Sequence, residues 1–130
     1  VNPTYFPLEK TTDDYWNLIV NTSLQGTYFM TRACIPFLSA GSAIVNVSSI
    51  AGLHADAGYA IYNAAKFGVI GFSKAMALEL GPKGIRVNVV APGSITTPTN
   101  NSVRQGRTPY VEQNRQSLCD EWGLQKRSPT

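Results

Sequence analysis

Tyr62 and Lys66, with Ser49 ahead of them, are the residues whose types and spacing could do chemistry in this chain. The stretch Ser49 to Lys66 reads S-I-A-G-L-H-A-D-A-G-Y-A-I-Y-N-A-A-K. Residues four apart on a helix share a face, so Tyr62 and Lys66 can address one site. A free phenol has a pKa near 10 and is a poor acid or base at neutral pH. An ammonium about 5 Å away, at an effective dielectric of about 20, favours a phenolate by roughly 3 kcal/mol. That is about two pKa units, which brings a phenol into a useful range for proton transfer. Ser49, at the end of a predicted strand, could hold a substrate oxygen beside it. Taken alone, the tyrosine–lysine spacing also suits a solvated lysine near a core tyrosine, because helices carry many such pairs. Tyr59 competes for the role, but Asn63 stands four residues on, so it lacks the lysine.

Two helices and two strands must position these residues. Pro3 and Pro7 bias the opening residues away from helix. A helix is predicted from Thr11-Thr12-Asp13-Asp14, a threonine cap followed by acids. Apolar residues then recur at helical spacing from Trp16 to Leu38, with Pro36 distorting the last turn. Asn21 interrupts this helix directly after Leu18-Ile19-Val20. It is either a tolerated polar residue on a side face or an amide placed to hold a water or backbone group. Ala43 to Val47 is a short β-branched strand ending in Ser48-Ser49, and 50–58 is a loop. A second helix is predicted over 59–80, with Phe67, Ile70, Phe72, Met76 and Leu80 available for burial. Gly68 and Gly71 inside it disfavour helix by about 1 kcal/mol each, so another element is expected to pack closely there. Gly81-Pro82 ends the helix, and 85–91 is the next strand. Strand, helix, strand makes a βαβ unit with parallel strands, and ligands of such sheets bind at the carboxyl ends. That places Ser49, Tyr62 and the loop after Pro92 around one crevice.

Composition excludes several other functions. At 130 residues with 43% hydrophobic content, the chain is at most one globular domain. No run in these residues reaches the length of a membrane span, and none has the charged start, apolar segment and cleavage site of a signal peptide. The net charge of +3 is scattered, with no aromatic-interleaved basic stripe, so nucleic acid is a poor partner. Cys34 and Cys119 make neither a disulfide framework nor a metal spacing. His54 is the single histidine and reads as a loop residue, so neither a metal site nor a Ser-His triad is expected. Three Asn-x-Ser matches, at Asn21, Asn46 and Asn100, are discounted as glycosylation sites, two of them falling inside predicted elements. A reducing, soluble, cytoplasmic setting is the default. From Thr99 the composition turns polar, with a short helix expected over 109–118 and a loose tail after it.

With these residues in place, the chain resembles a short-chain dehydrogenase/reductase (SDR) from Thr11 to Thr97. V-N-T-S-L-Q-G, Val20 to Gly26, resembles the family's helix segment with its catalytic asparagine, which falls on Asn21. I-V-N-V-S-S-I-A-G, Ile44 to Gly52, resembles the strand and loop with the catalytic serine. The family's thirteen-residue serine–tyrosine spacing selects Ser49 over Ser48. Y-N-A-A-K supplies Tyr62 and Lys66, and E-L-G-P-K-G-I-R-V-N-V-V-A-P-G-S-I-T-T-P, Glu79 to Pro98, resembles the long signature ending at the nicotinamide side. The resemblance implies hydride exchange between NADP, or NAD, and an alcohol or ketone. Tyr62 would exchange the proton and Ser49 orient the substrate oxygen. Lys66 would lower the tyrosine pKa and hold the nicotinamide ribose, and Asn21 would support a water relaying protons to Lys66. Ile95 and Thr97 would contact the cofactor, Ile95 through its backbone.

The family's glycine-rich phosphate loop, its N-N-A-G stretch and its final strand have no counterpart here. The sequence therefore reads as α/β, a partial Rossmann-like parallel sheet truncated at both ends. Residues 1–98 form the catalytic segment and 99–130 a divergent tail. The beginning of the reading frame is expected upstream of Val1. Two functions compete: an SDR oxidoreductase, in lipid, polyketide or terpenoid metabolism by the hint of Ile50, Leu53 and Ile95, and an inactive remnant that only associates with relatives. A related epimerase or dehydratase lacks the extra acid/base residues and length it would need. The isolated chain is expected to be marginally folded, or to pair its two long helices with a partner as a homo-oligomer.

Overall fold

The structure, a computed structural model, describes residues 5–93 and Ile95. The chain divides into two units, Val1–Gly93 and Ser94–Thr130, and the fold that follows is that of the first. Thr97 and the helix expected over 109–118 lie outside the described residues.

Helix formation begins where the acids predict it. The Thr12 hydroxyl accepts the Tyr15 backbone N–H at 3.1 Å, and Asp13 and Asp14 occupy the positive end of helix α1, Asp13–Val20. The single helix predicted to Leu38 is realised in pieces. A π-helical turn, Asn21–Gln25, follows α1, and the Gly26 N–H bonds back to the Asn21 carbonyl, five residues away. Helix α2, Gly26–Cys34, then runs into a 3-10 turn, Ile35–Phe37, where Pro36 removes a backbone donor. Ahead of α1, a 3-10 turn at Leu8–Lys10 breaks the extended opening.

The parallel unit matches the predicted topology. Strand β1, Ala43–Val47, pairs with β2, Arg86–Val90, from Ala43↔Arg86 to Val47↔Val90, and the helix α3, Ala60–Leu80, joins them. Gly41 at φ +92° and Gly84 at φ +71° precede the two strands, and the Gly41 N–H donates to the Gly84 carbonyl at 2.9 Å. Side chains alternate along both strands. Asn46 points at α3, donating to the Ser73 hydroxyl at 2.8 Å, and Ser73 in turn donates to the Val69 carbonyl. The opposite sheet face, with Val45, Val47 and Val90, is exposed.

The core lies between the helices. Ile19 of α1 is fully buried against Ile61 and Ala65 of α3, with Tyr15, Val20, Leu24 and Tyr62 packed around them. The buried stripe of α3 is Ile61, Ala65, Val69, Ser73 and Leu80. Phe67, expected to be available for burial, is exposed instead. The two α3 glycines also part company. A Cβ on Gly68 would meet the Leu24 side chain at 2.9 Å, so the π turn packs closely there, whereas Gly71 faces open space. No described helix is long and apolar enough to cross a membrane.

Candidate active site

The serine is placed by the strand that follows α3. Ser48 N–H donates to the Val90 carbonyl at 2.8 Å, and Ile50 N–H donates to the Pro92 carbonyl at 3.0 Å. Ser49 is thus bracketed by two bonds, one to the last residue of β2 and one to Pro92 just beyond it. Its hydroxyl accepts the Ala51 N–H at 3.2 Å and caps a 3-10 turn, Ile50–Gly52. The side chain is half-buried.

Ser48 does different work. It is buried, and its hydroxyl donates to the Lys66 carbonyl at 2.9 Å, tying the end of β1 to α3 at the lysine. Gly52 seals that junction. A Cβ there would stand 2.6 Å from the Ser48 hydroxyl and 2.7 Å from the Lys66 carbonyl oxygen. Only a residue without a side chain lets the turn lie on the helix at this point.

Lys66 Nζ donates to the Val47 carbonyl at 3.4 Å and sits 5.7 Å from the centre of the Tyr62 ring. Burial pushes its pKa below the ordinary 10.5, because desolvation disfavours the charged form. Tyr62, half-buried, packs against the Ile19–Ile61–Ala65 cluster. Asn21 is exposed at the first position of the π turn, directly after Val20, which packs on that same cluster. The end of β1 is thus tied to Lys66 through Val47 and Ser48, with Ser49 the next residue along, Tyr62 one helical turn before Lys66, and Asn21 on the π turn after α1. Ile95, in the second unit, is 60% exposed. Among the described residues no cluster of three or more His, Cys, Asp or Glu could hold a metal.

Sequence reasoning passed over Asn63, which served there only to disqualify Tyr59. It is buried, and its side-chain amide donates to the carbonyls of Ala51 at 2.7 Å and His54 at 2.9 Å. Its oxygen accepts the Asp56 N–H at 3.3 Å. The available signal was an amide inside an alanine-rich helix, directly after the tyrosine and close to an irregular loop.

The ammonium of Lys66 has three N–H donors, and among the described residues one acceptor, Val47 O, takes one of them at long range. A donor set of this kind, beside a phenol, suits the hydroxyls of a sugar. It therefore fits the ribose of a nicotinamide cofactor.

Comparison with known proteins bears on what that group is for. A family model described as enoyl-(acyl carrier protein) reductase matches residues 3–126, a longer stretch than the motif-bearing 11–97. A short-chain dehydrogenase/reductase, ABA4, of Pyricularia oryzae is 49% identical over 92 residues, covering 71% of this chain and 34% of that protein. The 3-oxoacyl-[acyl-carrier-protein] reductase FabG of Chlamydia trachomatis is 45% identical over 98 residues, covering 74% and 40%. Among solved structures, 4-hydroxyisoleucine dehydrogenase complexed with NADH superposes with a TM-score of 0.67 at 31% identity, covering 78% of this chain and 46% of that one. The chain thus spans less than half the length of these relatives. A match over residues 3–126 takes in nearly all of its own length, and on that ground the chain belongs to the short-chain dehydrogenase/reductase family.

Proposed function

We propose that the protein carrying this chain is a nicotinamide-dependent oxidoreductase acting on an alcohol or ketone of apolar body. The observation that carries this reading is the desolvated Lys66 ammonium, held at the end of β1 and 5.7 Å from the Tyr62 ring, with the Ser49 hydroxyl on the adjoining turn. When bound, a nicotinamide supplies the acceptor or donor of hydride. Tyr62 delivers a proton to the carbonyl oxygen in reduction, or removes one from the carbinol in oxidation. Ser49 orients that oxygen with its own hydroxyl. Lys66, with Tyr62, holds the nicotinamide ribose. Asn21 supports a water on the proton path to Lys66. The family signature in this stretch is what supports a cofactor-contacting role for Ile95, through its backbone, and for Thr97.

NADP is the cofactor in this reading, with NAD the alternative that the NADH-bound structural relative exemplifies. Ile50 and Leu53 follow Ser49 in the chain and are 46% and 53% exposed, which suits the apolar part of a lipid, polyketide or terpenoid intermediate. Exposed apolar residues on α2 and α3, among them Phe29, Met30, Phe67 and Leu78, suit association with a second copy. Titration of the whole protein with NADPH and NADH, followed by nicotinamide fluorescence, tests the proposal. The expected result is micromolar binding, tighter for NADPH. An absence of binding at millimolar cofactor would overturn it.

A further inference from the structure

We infer that Asn63 is a specificity-determining positioning residue, which selects substrates by size through the loop between Ala51 and Asp56. The inference rests on the oxidoreductase reading above and concerns the same site. Asn63 is 5% exposed, and among the described residues all three hydrogen bonds of its side-chain amide land on that one loop. Both amide hydrogens are used on carbonyls, of Ala51 and His54, and the amide oxygen takes the Asp56 N–H. Two acceptors and one donor in fixed places leave a single orientation for the side chain. Backbone is all that is gripped, so the loop's path is held whatever side chains it carries.

The two ends of the clamp sit against the proposed chemistry. Asn63 directly follows Tyr62 in α3, and Ala51, whose carbonyl it grips, gives its N–H to the Ser49 hydroxyl at 3.2 Å. Between the gripped points lie Leu53, 53% exposed, and His54, half-buried. Their backbone N–H groups both fold back onto the Ile50 carbonyl at 2.9 Å. The clamp therefore fixes where Leu53 stands relative to Ser49. Losing it would remove three hydrogen bonds that hold the loop's backbone, and the loop would relax toward water. A loosened loop admits substrates that the held loop excludes and grips the favoured one less well.

The test uses the whole enzyme and two ketone probes of different bulk, decalone and cyclohexanone, with wild type, Asn63→Ala and Asn63→Asp. Asn63→Asp keeps the size and the acceptor for Asp56 but turns a carboxylate oxygen toward two carbonyls, so it should behave like Asn63→Ala. The expected result is a shift of about tenfold in the ratio of kcat/KM between the two ketones, carried by KM more than by kcat. That ratio is independent of how much of a variant preparation is folded. Hydrogen exchange at the Asp56 amide should also quicken in Asn63→Ala. An unchanged ratio in both variants overturns the inference and leaves Asn63 as a stabilising residue alone. A Tyr62→Phe enzyme that reduces either ketone at the wild-type rate overturns the reading of the reaction itself, and the inference with it.

Discussion

Tyr62 is packed by its ring and proposed to act by its hydroxyl, so the two can be separated. Tyr62→Phe keeps the ring on the Ile19–Ile61–Ala65 cluster and removes the proton. Turnover of a ketone should fall about 10²- to 10⁴-fold with the melting temperature little changed, as measured by nicotinamide absorbance and by circular dichroism. Lys66 should show the opposite balance. Its ammonium is desolvated in the folded protein, so the unfolded chain holds that proton more tightly. Stability therefore rises with pH in the window between the lowered folded-state pKa and 10.5, and falls as pH drops through it. Lys66→Met should abolish turnover, raise stability at neutral pH and flatten that alkaline rise in denaturant titrations. The tyrosine and lysine were legible because a helix turns their spacing of four into a shared face. Ser48 and Ser49 are adjacent and chemically identical, and only their bonding separates them: one hydroxyl is spent on the Lys66 carbonyl, the other caps the turn at the site. Asn63 stands out only as an amide in an alanine-rich helix, and what it grips was illegible because its partners are backbone groups, which carry no residue signature.

At the level of elements, the strands and α3 could be read almost to the residue, since β-branched alternation and glycine stops mark them directly. The π turn could not. Its mark is the gap of five residues between Ile19 and Leu24, both at the helix interface, and the intervening Val20 restores an ordinary spacing of four and hides it. Glycines make the packing between elements testable. Gly52→Ala drives a methyl into the Lys66 carbonyl, and with backbone on one side there is little room to give. It should destabilise by about 1–3 kcal/mol and disturb the Ser49 turn, seen as lost ketone turnover at temperatures where the protein remains folded. Gly71→Ala meets open space and gains helix propensity, so it should stabilise the monomer by up to about 1 kcal/mol in urea unfolding. Loss of a dimer in the same variant, read by sedimentation, would instead place a second copy's helix against Gly71.

On the scale of the whole molecule, the described unit covers its sheet on one side only, and parallel sheets are ordinarily covered on both. Exposed Val45, Val47 and Val90 on the sheet, with Phe29, Met30 and Leu78 on the helices, leave apolar faces that a partner or further chain would cover. The melting temperature of the isolated chain should accordingly rise with its concentration, and a cooperative melt independent of concentration would count against association. The fully buried Ile19 is the main contact of α1 with α3, and Ile19→Ala should cost about 2–5 kcal/mol, enough to unfold a marginal chain. The two bonds that bracket Ser49 carry a further consequence, for the order in which the protein assembles on the ribosome. Val90 and Pro92, which receive the N–H groups on either side of the serine, lie about forty residues downstream of it. Such distant pairing is slow, because a long loop must close before any bond rewards it. While the chain is emerging, α3 can coil and bring Tyr62 and Lys66 into line, yet Ser49 has no fixed address. A nascent chain halted before residue 92 would contain Asn21, Ser49, Tyr62 and Lys66 and still have no site.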